Sequence, residues 1–193
     1  MFLLREPSGE TLRRFVSTQR GMPFSYKEVG ASQEGVVPQG YIVDRYRVGL
    51  GVGPEVYERA KEALRGWRQF GLCWVHLLPG EAPVEVGYTV AVLARHYGFW
   101  SLNAARIVYL IEESSEEVER FGFGYGTVSG HAERGEERFL IERHREDDSV
   151  WYNVLAFSRP NHPLAWPGFP LARLLQRRFA RDSKRAMVEA ARA

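Results

Sequence analysis

Five segments of strand composition are joined by connections too short for anything but antiparallel neighbours, and this constrains the chain more than any other feature. Residues 86–94, 104–111, 120–128, 136–144 and 150–157 are rich in β-branched and aromatic residues, with apolar positions recurring at a period of two. Between them stand only His96-Tyr97-Gly98, Glu113 to Glu117, Ser129 to Gly135 and Glu146 to Ser149. A parallel crossover needs about a dozen residues or more, so a five-strand meander is the simplest topology. The third segment has an uneven alternation: Phe121, Phe123, Tyr125 and Thr127 point one way, while Gly122, Gly124 and Gly126 leave the other face bare. A bare face demands a closely packed neighbour or strong curvature.

Helical periods flank this core. Gly53-Pro54 opens a helix, with proline at the first position where its missing N–H is harmless, and Val56, Tyr57, Ala60, Ala63, Leu64 and Trp67 make one apolar face. From Gly168-Phe169-Pro170 onward, Leu171, Leu174, Leu175, Phe179, Ala186, Met187 and Ala190 form a stripe. At about 1.5 Å per residue this helix reaches roughly 30 Å, enough to cross a sheet. Tyr41 to Val48 reads as a further strand, ended by Gly49, Gly51 and Gly53. Residues 1–22 are polar, with a weak helical period at Leu12, Phe15 and Val16, and read as a peripheral N-terminal segment. No repeat or linker divides the chain, so residues 1–193 are expected to form a single domain. The expected class is α+β: a curved antiparallel β-sheet wrapped around a long C-terminal α-helix.

Composition excludes several functions. No run of about 18 apolar residues exists, so no membrane span is expected. The N-terminus lacks the basic start and longer apolar run of a signal peptide, so a cytoplasmic location is expected. Cys73 is the only cysteine, which rules out an internal disulfide or a cysteine metal cluster. The histidines are scattered, with no His-x-x-x-His pair, and neither metal nor cofactor is expected. Net charge is +2, too little for a general attraction to nucleic acid. The cations are nonetheless uneven, since Arg173, Arg177, Arg178, Arg181, Lys184, Arg185 and Arg192 crowd the last helix. Such a face either attracts RNA, anionic lipid or an acidic partner, or is simply solvated.

The densest polar stretch, Tyr125 to Arg138, joins two strands. His131 has carboxylates nearby and could act as a general base or metal ligand, and a hairpin would bring Tyr125 or Thr127 opposite Glu137 or its neighbours. The alternative is a solvated hairpin with charged ends. Arg106 is the one charge in an apolar run. Facing inward it would need a ligand oxyanion or a carboxylate such as Glu112, Glu113 or Glu137; facing outward it is an ordinary surface arginine. Arg159 ends the last strand, where it either anchors the following loop or binds an anion.

Phe121-Gly122-Phe123-Gly124-Tyr125-Gly126-Thr127, Gly130-His131, Gly135-Glu136-Glu137-x-Phe139 and Phe157-Ser158-Arg159-Pro160 resemble uncharacterised protein family 0548, found in bacteria and plants. Tyr26-x-x-Val29-Gly30-Ala31 and the tail Gln176-x-x-Phe179-x-x-Asp182-Ser183 extend the resemblance from about residue 25 to the end. The chain departs from the family pattern at Ser129, where proline is usual, and at Ser32, where threonine is usual. The element order is also similar to the helix-grip fold of the birch-pollen allergen and START-type lipid-binding proteins. That likeness implies a START-like sheet curled around the last helix, with an apolar small molecule or lipid-like ligand held between them and walls from Phe123, Tyr125, Phe139, Tyr152, Leu175 and Phe179. An enzyme using Tyr125, Thr127, His131 and Glu137 and an interaction protein using the basic helix are the alternatives, and the sequence leaves the oligomeric state open.

Overall fold

The computed structural model describes residues 1–131, 133–161 and 169–192, with side chains from Leu171 onward in the last segment. Gly168, at the expected helix start, and His162 lie outside the described residues. The elements in chain order are β1 (Phe2–Leu3), α1 (Gly9–Gln19), β2 (Ile42–Val52), α2 (Pro54–Arg65), a 3₁₀ turn (Arg68–Phe70), β3 (Val75–Leu78), β4 (Thr89–Arg95), β5 (Trp100–Ser114), β6 (Val118–Thr127), β7 (Glu133–His144), β8 (Ser149–Pro160) and α3 (Phe169–Arg192). The sheet runs β2-β8-β7-β6-β5-β4-β3, antiparallel throughout, with β1 added beside β5.

The expected meander is therefore present as β4 to β8, and β2 joins β8 at its end. Two strands carry too little pattern to be read from sequence. β3 is only four residues long, and β1 only two. Bulges bend the long strands: the register shifts between Ile107 and Tyr109 in β5 and between Gly49 and Gly51 in β2.

One face of the sheet, the inner one, carries α2, the 3₁₀ turn and α3. Leu64, Trp67, Phe70, Phe123, Phe139, Tyr152 and Met187 meet there in the main core. Phe123, Phe139 and Tyr152 are fully buried, each worth about 1.5–3 kcal/mol of transfer free energy. The Tyr152 hydroxyl reaches Ser183 Oγ of α3 at 3.0 Å, so the polar tip of the ring is satisfied inside the core.

The outer face is covered as well, and the covering explains the glycines. A Cβ on Gly124 would lie 2.3 Å from the Tyr109 ring, and one on Gly126 would lie 2.0 Å from the Tyr26 hydroxyl. The bare stripe is thus a bed for two tyrosines. Tyr26 belongs to the segment 23–41, which folds over β8 through Tyr26, Tyr41 and Phe157. The N-terminal residues, read from sequence as peripheral, are docked. Val16 of α1 packs on Ala91, Leu93 and Leu102, and the Met1 amine donates to the Leu102 carbonyl at 2.8 Å. Among the described residues no helix is long and apolar enough to cross a membrane.

Candidate functional site

Between the inner face of the sheet and the first turns of α3 lies a cavity of about 280 Å³. This is near the lower end of the roughly 300–1,000 Å³ typical of small-molecule sites. The packing beside it is solid because α2 and the 3₁₀ turn cover one half of the sheet, and the cavity opens where that cover stops. Phe70, Trp74, Val92, Ala104, Leu175 and Phe179 supply apolar wall.

The polar end is built by strand alternation. Tyr125 on β6 and Glu137 on β7 are directly opposed in the ladder, and the Tyr125 hydroxyl donates to Glu137 Oε2 at 2.8 Å. Two residues along one strand point to the same face, so Glu133 also faces inward, as do Asp44 and Tyr46 of β2. α3 reaches down to this floor. Arg173 grips Asp44 with both terminal guanidinium nitrogens, and its Nη1 also donates to Gln176 Oε1 at 2.7 Å. Gln176 Nε2 in turn donates to Glu133 Oε2 at 2.5 Å. Arg173 and Asp44 thereby neutralise each other, while Glu133 and Glu137 have no cation bonded to them among the described residues.

This arrangement strains ionisation. Burial pushes the Glu137 carboxyl up to about 7, the negative charges of Asp44 and Glu133 add to the rise, and the Tyr125 hydrogen bond opposes it. Burial likewise raises Glu133, against Arg173 and its hydrogen bonds. Tyr125 is held well above the ordinary phenol range by burial and by Glu137, so it stays a donor. His131 Nδ1 accepts from the Glu133 backbone N–H at 3.0 Å, which leaves the proton of the neutral ring on Nε2. Burial and the positive N-terminus lower this imidazole to about 4. Both Glu137 and His131 keep some accessible surface, and that surface belongs to the cavity lining.

Tyr125, Thr127, His131 and Glu137 thus line one concave space. Thr127 plays a local part: its hydroxyl accepts from Gly135 N at 3.0 Å and meets Ser25 Oγ at 2.6 Å, clipping the hairpin base. The two arginines stand elsewhere. Among the described residues Arg106 meets no carboxylate. Its guanidinium donates to the carbonyls of Arg20 at 2.6 Å and Gln19 at 3.2 Å, closing the C-terminus of α1, where exposed carbonyls favour a cation. Arg159 stacks on the Tyr41 ring at 4.3 Å on the outer face. Of the apolar candidates, Leu175 and Phe179 line the cavity, whereas Phe123, Phe139 and Tyr152 sit beside it in close-packed core.

Asp44, Glu133, Gln176, His96 and Asn103 also line the cavity and were not singled out by sequence. Asp44 had a usable signal, since it is a carboxylate on the parity of Tyr46 and Val48 in an otherwise inward-facing set. The basic face of α3 is partly neutralised in place: Arg173 pairs with Asp44, Arg178 and Arg181 with Asp182, and Arg185 with Glu189. Among the described residues, no group of three or more His, Cys, Asp or Glu side chains is placed to hold a metal ion.

Comparison with known proteins places this architecture in a family. The chain is 42% identical over 202 residues to a UPF0548 protein of Deinococcus radiodurans, covering 99% of both chains. It is 35% identical over 206 residues to a UPF0548 protein of Dictyostelium discoideum, covering 98% of this chain and 95% of that one. A solved structure of human STARD10 is 12% identical, covers 96% of this chain and 81% of that chain, and superposes with a TM-score of 0.47, a likeness too weak to bear on function. The family model described as "Domain of unknown function (DUF1990)" matches residues 25–186. With a match over most of its length and relatives aligned end to end, the chain belongs to the DUF1990 family, together with the UPF0548 proteins.

Proposed function

We propose that this protein binds a small, largely apolar molecule between the sheet and α3. The observation that carries the reading is the contrast within one layer: aromatic core packs tightly under α2, yet a cavity of about 280 Å³ remains under the start of α3. Protein interiors are close-packed, and an apolar-walled recess of this size leaves wall without the dispersion contacts that a bound apolar molecule would supply. Apolar wall with a few convergent polar groups is the usual make-up of a ligand site. A second apolar hollow shares Phe2, Ala172 and Leu175 with the first, and it supports a route of entry beside α3.

Native mass spectrometry of protein purified from its own host tests the reading. The expected result is a co-purifying small molecule released on denaturation, and its loss in a Leu175→Trp variant, whose indole fills the space. Wild-type protein that flies without an adduct, and that takes up no apolar probe, would refute it.

Catalysis is the second reading, supported by the convergence of Tyr125, His131 and Glu137 on the same space. Glu137 would transfer the proton, and Tyr125 would orient it. A bound molecule recovered chemically unchanged after prolonged incubation counts against it.

A further inference from the structure

We infer that the ligand of this cavity carries a protonated amine, with Glu137 and Glu133 as its counter-charges; this rests on the small-molecule reading above.

The charge balance of the lining points there. Asp44, Glu133 and Glu137 face the cavity, and no lysine or arginine is among the described residues lining it. The nearest guanidinium, Arg173, is held by Asp44 and Gln176. The polar atoms left over are mostly acceptors. Glu137 Oε2 accepts the Tyr125 hydrogen bond, but Oε1 has no hydrogen bond among the described residues. Asn103 Oδ1, on β5 of the same sheet, is buried and without a partner among the described residues. The unpartnered, buried Asn103 oxygen calls for a donor, and a partly buried carboxylate looking into apolar wall favours a cation. An ammonium meets both needs, because it has one charge and three N–H donors and accepts nothing. Phe70, Trp74, Tyr125 and Phe179 present aromatic surface to the same space, which favours a cation over an anion.

Among the described residues, the other charged or titratable groups facing Glu137 agree with this assignment. Tyr125 on β6 donates to it and stays neutral. Tyr152 on β8 also stays neutral, with its hydroxyl turned to Ser183. Tyr46 bonds Asp44 at 3.2 Å. His131 is neutral with its Nε2–H unused among the described residues, and Glu133 is tied to Gln176. An anionic ligand would meet two or three carboxylates with only neutral donors among the described lining residues, from His131, His96 and the Asn103 amide, to offset them. A neutral alcohol would leave the charge of Glu137 buried and uncompensated.

Three chain-matched probes separate the possibilities: hexylamine, hexanol and hexanoate, titrated calorimetrically into the full chain at pH 8. Hydrogen bonds to charged groups are the strong ones, so hexylamine is expected to bind about tenfold or more tighter than hexanol, with hexanoate weakest. In Glu137→Gln, amine affinity should fall to about that of the alcohol while alcohol affinity holds. Hexanol or hexanoate binding best overturns the amine assignment and leaves the small-molecule reading standing. A preference for amine that survives both Glu137→Gln and Glu133→Gln overturns the role given to these carboxylates. Absence of binding by all three overturns both readings.

Discussion

Glu136 and Glu137 are neighbours on β7, and the pleat sends them to opposite faces of the sheet. On the outer face, Glu136 is 3% exposed and accepts four hydrogen bonds. Tyr26 Oη at 2.5 Å and Gly30 N at 2.8 Å meet one oxygen; Ser32 N at 2.9 Å and Ser32 Oγ at 2.5 Å meet the other. The Ser32 hydroxyl spends its proton on Glu136, so the Tyr109 O–H donates to Ser32 Oγ, at 2.5 Å. On the inner face, Glu137 accepts one bond among the described residues, from Tyr125, and looks into a cavity. The residue type and strand are shared; the supply of donors differs, and Glu137 keeps surface open to the cavity. Four donors convert a buried carboxylate into a clasp that holds the segment 24–35 onto the sheet, whereas one donor leaves a carboxylate with unspent capacity, which is what a binding site needs.

Replacing Glu136 by glutamine should show the largest effect. Each oxygen of Glu136 faces a backbone N–H that cannot turn away, Gly30 on one side and Ser32 on the other. In either orientation the new amide NH₂ opposes one of them. The expected loss is about 2–4 kcal/mol of unfolding free energy, read by urea denaturation at pH 7. A variant as stable as the wild type would break the distinction drawn between the two carboxylates. Gly124→Ala is expected to follow at about 1–3 kcal/mol, because the added methyl must displace the Tyr109 ring that the clasp holds in place. In a Tyr109→Ala background the same change should cost less than half as much, since the two sites share one space. Equal costs in both backgrounds would mean that Gly124 is needed for its backbone and not for the tyrosine.

Much of the inner face was legible in the sequence because it rests on a period of two. Alternation alone put Phe121, Phe123, Tyr125 and Thr127 on one side, and short connections alone set the meander, so Tyr125 opposite Glu137 followed once the hairpin was read. Parity, however, tells which side a residue faces and not what lies above it. Phe123 and Phe139 lie under helix and Glu137 under a hollow, although all three share a face. The outer clasp was not legible at all. Its donors come from a stretch without periodicity more than 100 residues upstream, at sequence separations of 104 to 110 for Ser32 and Tyr26. The glycine stripe announced that something packs there and could not name Tyr26 or Tyr109. Arg106 shows the same limit, since a charge in an apolar run must find a partner, and the partner proved to be the carbonyl end of a helix 86 residues away.

The smallest effect sharpens the inner half of the comparison, and its sign is opposite. Glu137 in the folded protein titrates near 7, against an ordinary 4.5. A carboxyl raised on folding holds its proton more tightly in the folded state. Its contribution is greatest below pH 4.5 and is lost as pH climbs to about 7. Glutamine imitates the protonated form at every pH, so Glu137→Gln should be more stable than wild type by about 1–2 kcal/mol at pH 8 and indistinguishable from it at pH 4.5. His131 runs the other way. Its folded value of about 4 lies below the ordinary 6.5, so its contribution is present above 6.5 and is lost as pH falls towards 4. The two slopes oppose each other between about 4.5 and 6.5. Removing Glu137 should therefore expose the His131 slope, and thermal melts of Glu137→Gln should rise over that interval more steeply than those of the wild type. A variant that instead loses stability relative to wild type as pH rises would show that the charge on Glu137 is already compensated inside the cavity, and that this carboxylate is a second clasp and not an open site.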